Sequence, residues 1–361
     1  MSKCTGVVAA VLIVLVLVGW LNHKQWFRQY SHTHLLQSDQ VEVVPVSPTD
    51  LCVPHDGKSP IRIELQSDHN DIFLLEMILN KQYLKMAVDT GSDSILVAGK
   101  DCDGCDRNEM NGMELPSTSG SSTTMNYGSQ SDRTKLHDVS LFLRGTNLND
   151  DAVCVHDMGK VHIVTKRSGT SDYNILGLGK EMGGGSPTFL KKLFGAPPFG
   201  FAMGIDTKKK AHITFFQPNY NPELVPQHKF TVASLQSSHH FYVHMHRMQV
   251  KDATIDTHGV SKILLDTGSN ALSLPTPIFQ QLRERQKSGV LHIDLQDHLG
   301  NPFPLRFAYD MNDIDNAQVL DSGHNRRIII GVTFLVGYEV GMLDDGVERF
   351  VTIAHSGSKK I

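Results

Sequence analysis

The chain has 361 residues, 40% of them hydrophobic and 20% charged, with a formal net charge of −4 at pH 7. That length and composition suffice for two domains with cores of their own, and the lack of a basic excess argues against a nucleic-acid partner. Histidine is abundant, at 19 residues, so full protonation would carry the formal charge from −4 to +15; a protein working in acid would change charge greatly there, although scattered surface histidines are the plainer reading.

Residues 5–21 are nearly all apolar, with Lys3 before them and Lys24 and Arg28 after. Residues 1–22 therefore read as a signal peptide or an uncleaved signal anchor. Leu17-Val18-Gly19 is a poor cleavage site, which favours the anchor. Basic residues on both flanks leave its orientation open. Cys4 precedes this run, and Cys52, Cys102, Cys105 and Cys154 follow it; an even number behind a secretory segment reads as disulfides. No Asn-x-Ser/Thr sequon occurs. The expected location is the secretory pathway, as a secreted or membrane-anchored protein with its body in the lumen or outside the cell.

Residues 23–60 are polar, with Pro45, Pro48, Pro54 and Pro60 and no clear period, and read as a linker or pro-like segment. An apolar strand over 72–79 follows, turned by Asn80-Lys81-Gln82, and 84–88 leads back into Asp89-Thr90-Gly91-Ser92. Ile95-Leu96-Val97 comes next, so a carboxylate is carried on a tight turn between two buried strands. Residues 117–124 are rich in Ser, Thr and Gly. Ile175-Leu176-Gly177 precedes a short helix with Ser186 as its cap, Pro187 in its first turn, Gly195 at its end and an apolar face of Phe189, Leu190, Leu193 and Phe194. Residues 199–203 and 211–216 read as a hairpin over a solvated turn carrying Lys208-Lys209-Lys210.

Pro218, Pro222 and Pro226 mark the best boundary, over residues 217–227. The plan then repeats. A strand over 241–250 and a hairpin through His258-Gly259 lead to Ile263-Leu264-Leu265 and to Asp266-Thr267-Gly268-Ser269, 177 positions after the first such turn. Thr276 is expected to cap a helix that starts at Pro277 and ends among Arg283, Arg285 and Lys287, cations that suit a helix C-terminus. Ile328-Ile329-Ile330-Gly331 repeats the earlier apolar-apolar-Gly segment. A lone Asp before Gly is an ordinary turn former; two matched copies, each between strands and half a chain apart, are not.

On these motifs the chain resembles the pepsin-like (A1) family of eukaryotic aspartic proteases, over about residues 61–355. The resemblance implies an all-β, bilobal fold with a few short helices and a cleft between the lobes, one lobe over 61–216 and the other over 217–361. It implies that Asp89 and Asp266 form the catalytic pair. Two carboxylates a few ångströms apart cannot easily both ionise, so such a pair shares one proton, and aspartic proteases are the standing example of that principle. The ionised member acts as general base on a water held between them, and the protonated member donates to the substrate carbonyl. Gly91 and Gly268 let backbone pass close to the carboxylates. Backbone N–H groups and the hydroxyls of Ser92 and Ser269 can bond the carboxylates. Thr90 and Thr267 are expected to bond across the lobe interface, and Gly177 and Gly331 to pack beneath the turns.

The resemblance also makes Tyr127-Gly128-Ser129 the tip of a flap over the substrate. Two positions depart from the family. Leu96 stands where a tryptophan is usual, which removes the usual hydrogen-bond partner of the flap tyrosine, and Asp93 is acidic where a small polar residue is usual. Residues 23–60 lack the lysine-rich character of a family prosegment. The spacing of Cys102-Asp103-Gly104-Cys105 alone suits a metal or a redox motif, a weak zinc signal without a second pair; the resemblance favours a small disulfide loop there. Cys52 and Cys154 could form a second bridge. His240, His244 and His246 alternate onto one strand face, where they could bind a metal, sense pH or simply face solvent.

The reading is an aspartic endopeptidase cleaving proteins or peptides in acid, including in an acidic endolysosomal compartment. It needs no cofactor and no metal, acts as a monomer, and meets a membrane through residues 1–22 if these are uncleaved. The alternative is a catalytically weak or inactive relative that binds peptides. A homodimeric single-motif protease is disfavoured by two motifs in one chain, and a metal-binding protein would rest on the histidine strand alone.

Overall fold

The computed structural model describes residues 52–68, 71–105, 113, 122–127, 130–169, 173–179, 189–226, 228–232, 240, 242–312, 319–323 and 327–356. All of them fall within one unit, Pro48–Ile361. The apolar run of residues 5–21, the linker up to residue 51, Ser186 and Pro187 lie outside them. Among the described residues no helix is long and apolar enough to cross a membrane.

The architecture is an all-β, pepsin-like bilobal fold with two α-helices among the described residues, Phe189–Phe194 and Thr276–Arg285. A 14-stranded sheet and an 8-stranded sheet carry the strands. Alternation decides which faces are buried. Phe73–Leu79 buries every second residue, as does Pro302–Asp310, the signature of strands with one face on a core. Phe199–Ile205 is buried at every position because it lies mid-sheet with both faces covered. It pairs antiparallel with Ala211–Phe216 on one side and with Tyr338–Asp344 on the other. Arg349–His355 and then His228–Thr231 extend this part of the sheet. Strands from both sides of the proline-rich stretch 217–227 are thus hydrogen-bonded into one sheet, which ties the two halves together.

Several local expectations hold, with adjustments. The first hairpin turns on two residues rather than three: Leu79 lies opposite Gln82, and Asn80 and Lys81 both take positive φ, as a tight two-residue hairpin turn requires. The Asn80 side chain fixes that turn by accepting the Ser140 N–H at 2.8 Å. Thr276 does not cap its helix. Pro275 holds the N-cap position, and the Thr276 hydroxyl donates instead to Asp321 Oδ1 at 2.6 Å. In the lysine turn, Asp206 Oδ1 accepts the backbone N–H groups of Lys208 and Lys210, while Lys209 Nζ pairs with Asp71.

The segment from Cys52 to Pro60 is built into the fold. Cys52 and Cys154 are bridged, and Val53–Pro54 runs parallel to Val153 and Cys154.

Candidate active site

Each Asp turn is framed by three strands. Gln82–Asp89 runs parallel to Asn174–Gly177, with Asp89 opposite Gly177. The strand leaving the turn, Ile95–Asp103, runs antiparallel to that same segment. The second half repeats this: Lys262–Asp266 lies parallel to Ile328–Gly331, with Asp266 opposite Gly331, and Leu272–Leu274 runs antiparallel to it. The apolar-apolar-Gly strand is therefore inserted between the strand entering each turn and the strand leaving it.

The terminal glycines are dictated by space. A Cβ on Gly331 would stand 2.6 Å from Ala271 N, Ala271 O and Ser269 O, all backbone atoms, so only hydrogen fits there. The loops are then bonded to these strands: Leu178 N–H to Asp89 O at 2.8 Å, Gly179 N–H to Ser92 O at 2.6 Å, and Val332 N–H to Ser269 O at 2.6 Å.

The two turns meet through their threonines. Thr90 N–H donates to Thr267 Oγ1 and Thr267 N–H to Thr90 Oγ1, both at 3.1 Å. The Thr90 hydroxyl donates to Leu265 O, and the Thr267 hydroxyl to Val88 O, both at 2.7 Å. Both threonines are buried, so these bonds form away from competing water.

This grip places each carboxylate over the other turn. A Cβ on Gly91 would stand 2.7 Å from Asp266 Oδ1, and one on Gly268 2.5 Å from Asp89 Oδ1. The Asp89 and Asp266 carboxyls lie close enough to interact directly. Each also accepts a backbone N–H of its own turn, Gly91 to Asp89 Oδ1 at 2.7 Å and Gly268 to Asp266 Oδ1 at 3.0 Å. Burial, the charge of Asp89 and direct interaction with its carboxyl push the Asp266 carboxyl well above the ordinary carboxylate range, against the opposing pull of Gly268 N–H and of Arg327. The site can therefore hold one proton between two carboxyls.

A family model for eukaryotic aspartyl proteases matches residues 78–292, more than half of the chain and including both Asp turns. The chain belongs to the eukaryotic aspartyl protease family. No curated protein matches it.

Not every residue of this aspartyl protease sits as the motif suggests. Ser92 is 2% exposed, and its hydroxyl has no hydrogen-bond partner among the described residues; Asp89 is bonded by the Gly91 N–H, as expected of the backbone. Ser269 Oγ accepts the Ala271 N–H at 3.3 Å. The strand Ser122–Tyr127 pairs antiparallel with Gln130–Thr146, and Tyr127 lies opposite Gln130; the proposed flap residues Gly128 and Ser129 fall between them in the sequence. Those two residues and the Tyr127 side chain lie outside the described residues. Leu96 is fully buried in an apolar cluster with Cys102, Val164 and Ile175, on which Met125 of the hairpin packs. Asp93 Oδ1 accepts the Ser94 hydroxyl at 2.9 Å. His162 nearby is lowered by burial, with Asp93 opposing that shift.

Cys102 and Cys105 form a disulfide, as does the pair Cys52 and Cys154, and these bridges suit an extracellular, lumenal or lysosomal location. His244 and His246 are exposed on their strand, where a bulge between Met245 and Arg247 interrupts the alternation. Among the described residues no group of three His, Cys, Asp or Glu side chains could hold a metal.

The sequence reading missed Gln130, Asp132 and Arg167. All three are buried, Gln130 and Asp132 in the hairpin that carries Tyr127 and Arg167 on the strand paired with it. Their one signal is that Gln130, Asp132 and Thr134 alternate as polar residues along a strand, a pattern that reads as a solvent face.

Proposed function

We propose that this chain is an aspartic endopeptidase that hydrolyses peptide bonds in extended protein or peptide segments, working in acid with Asp89 and Asp266 as its catalytic pair. The observation that carries the reading is the reciprocal threonine grip, which sets each carboxyl against the other turn, with Asp266 inclined to keep the proton. The ionised member of the pair takes a proton from the attacking water. Asp266 donates to the substrate carbonyl oxygen, and no covalent acyl-enzyme forms. The shared proton sets an acid working range, because ionisation of the second carboxyl removes the general acid. Tyr127, Gly128 and Ser129 would contact substrate from the hairpin tip. The lobes would divide near residue 216, with substrate lying across the division.

The test is cleavage of a pooled peptide library by the purified chain from pH 3 to 7, with and without the transition-state analogue pepstatin. Pepstatin-sensitive cutting that declines towards neutral pH is the expected result, lost in both Asp89→Asn and Asp266→Asn. Near wild-type cutting by either variant would refute the mechanism. The buried, unpartnered Ser92 hydroxyl and Leu96 in the tryptophan position favour a second reading, a weakly active peptide binder; pepstatin binding without turnover at any pH would select it.

A further inference from the structure

The hairpin bearing Tyr127 is joined to the neighbouring strand by a buried ion pair outside the two Asp-Thr-Gly-Ser turns. Asp132 and Arg167 lie directly opposite each other on adjacent strands, and both side chains are fully buried. Arg167 Nε donates to Asp132 Oδ1 at 3.0 Å and Nη2 to Oδ2 at 2.8 Å, the two-pronged geometry that fixes relative orientation as well as distance. Gln130 Nε2 donates to the same Oδ2 at 2.9 Å. Gln130 is the residue opposite Tyr127, so the ion pair reaches the end of the hairpin through one hydrogen bond.

The pair is braced on its other sides. Arg167 Nη1 donates to Tyr173 O at 3.3 Å, and the Tyr173 hydroxyl bonds Asp68. Gly104, inside the Cys102–Cys105 loop, lies against the Arg167 carbonyl, and a Cβ on Gly169 would stand 2.9 Å from Gln130 Cα. A register shift between Arg133 and Thr134 separates this end of the long hairpin from the rest, and bulges bend a strand where they occur. The pairing of Ser122–Tyr127 with Gln130–Lys135 runs through that position unbroken, so Asp132 and Gln130 tie the end of this hairpin to Arg167 and, through it, to the disulfide loop on the neighbouring strands. A buried ion pair often adds little net stability over an apolar pair of similar volume, so its distinctive contribution here is geometric.

We propose that Arg167 and Asp132 are positioning residues that fix the hairpin bearing Tyr127 against the neighbouring strands, and so set how tightly an extended peptide is held if that hairpin contacts it as proposed above. This rests on the proposed function, in that the peptide is the substrate of that site. Removing one partner would leave a buried charge and endanger folding, so the decisive variant is the neutral double exchange Asp132→Leu/Arg167→Met, with Arg167→Lys as the milder change. Wild type and variants, as full chains, are compared in peptide hydrolysis, pepstatin binding, thermal unfolding and hydrogen–deuterium exchange.

The double variant is expected to stay folded, to raise KM and weaken pepstatin binding by about tenfold with kcat within about threefold, and to lose amide protection within 122–134 alone. Arg167→Lys, which keeps the charge but not the two-pronged bond, should fall between. Unchanged protection in 122–134, or loss spread over the whole fold without a KM effect, would overturn the proposal. A wild-type chain that neither cleaves peptides nor binds pepstatin would sink the peptidase reading, while the local exchange result would still decide the positioning role.

Discussion

Thr90 and Thr267 each donate a backbone N–H to the other's hydroxyl oxygen at 3.1 Å, although 177 residues separate them. Replacing Thr267 by Val keeps the volume and removes the hydroxyl. Val88 O would lose its donor and Thr90 N–H its acceptor, both in a buried setting. A buried polar group left unpaired costs about 1–3 kcal/mol, so Thr267→Val should destabilise the fold by roughly 2 kcal/mol or more in urea titration. Peptide hydrolysis should fall by at least about tenfold, because the two carboxyls lose their common frame. Hydrolysis and urea midpoint both near wild type would show that the grip is dispensable.

Asp266 gives a pH dependence with a definite sign. Its carboxyl is raised in the folded chain by burial, by the charge of Asp89 and by direct interaction with its carboxyl. Between the ordinary carboxylate value, about 3.9, and the raised folded value, the folded state binds more protons than the unfolded state. Stability therefore falls as pH rises through that window. Asp266→Asn carries no titrating proton there and should flatten this part of the profile. It should raise stability at neutral pH relative to wild type while abolishing hydrolysis. Thermal unfolding from pH 3 to 7 checks it, and an unchanged slope in the variant would show that Asp266 is not the group responsible.

The Asp turns were legible in the sequence because their chemistry and spacing are local: Asp-Thr-Gly-Ser between two apolar runs, twice, each with an apolar-apolar-Gly segment later. What could not be read depended on which strands lie side by side. Asp132 looks like a surface residue in Gln130-Ser131-Asp132-Arg133 until Arg167, 35 positions away, is placed opposite it. Thr276 has the right chemistry for a cap, yet Asp321 from a distant strand takes its hydroxyl. Of the groups expected to bond the carboxylates, the Gly91 and Gly268 N–H groups do so, whereas Ser269 Oγ accepts the Ala271 N–H, a local contact that only the folded turn reveals.

The Cys52–Cys154 bridge closes a loop of 102 residues. Cross-linking across about 100 residues restrains the unfolded chain by about 4–5 kcal/mol in the chain-entropy treatment. Cys52→Ser/Cys154→Ser should lower stability by a few kcal/mol and free Val53–Pro54 from its short pairing with Val153 and Cys154, while leaving the Asp89–Asp266 pair intact. Chemical denaturation, with hydrogen exchange over residues 53–60 and 152–156, measures both effects. A loss of hydrolysis well below the unfolding transition would instead mean that the N-terminal segment shapes the cleft.

Leu96 decides whether the family's tryptophan can be restored. Its side chain is fully buried among Cys102, Val164 and Ile175, with Met125 of the hairpin packed alongside. A tryptophan there needs space that a close-packed cluster does not offer, and overfilling of this kind typically costs about 1–3 kcal/mol. Its indole N–H would also have to leave this apolar cluster to find an acceptor. Leu96→Trp should therefore lower the unfolding midpoint and leave peptide KM unchanged or raised, because the hairpin takes its position from Asp132 and Arg167 instead. Steady-state kinetics beside thermal unfolding tests this directly. A variant that is more stable and binds peptide more tightly would mean that the cluster has room to spare and that the tryptophan contact, not the ion pair, governs the hairpin.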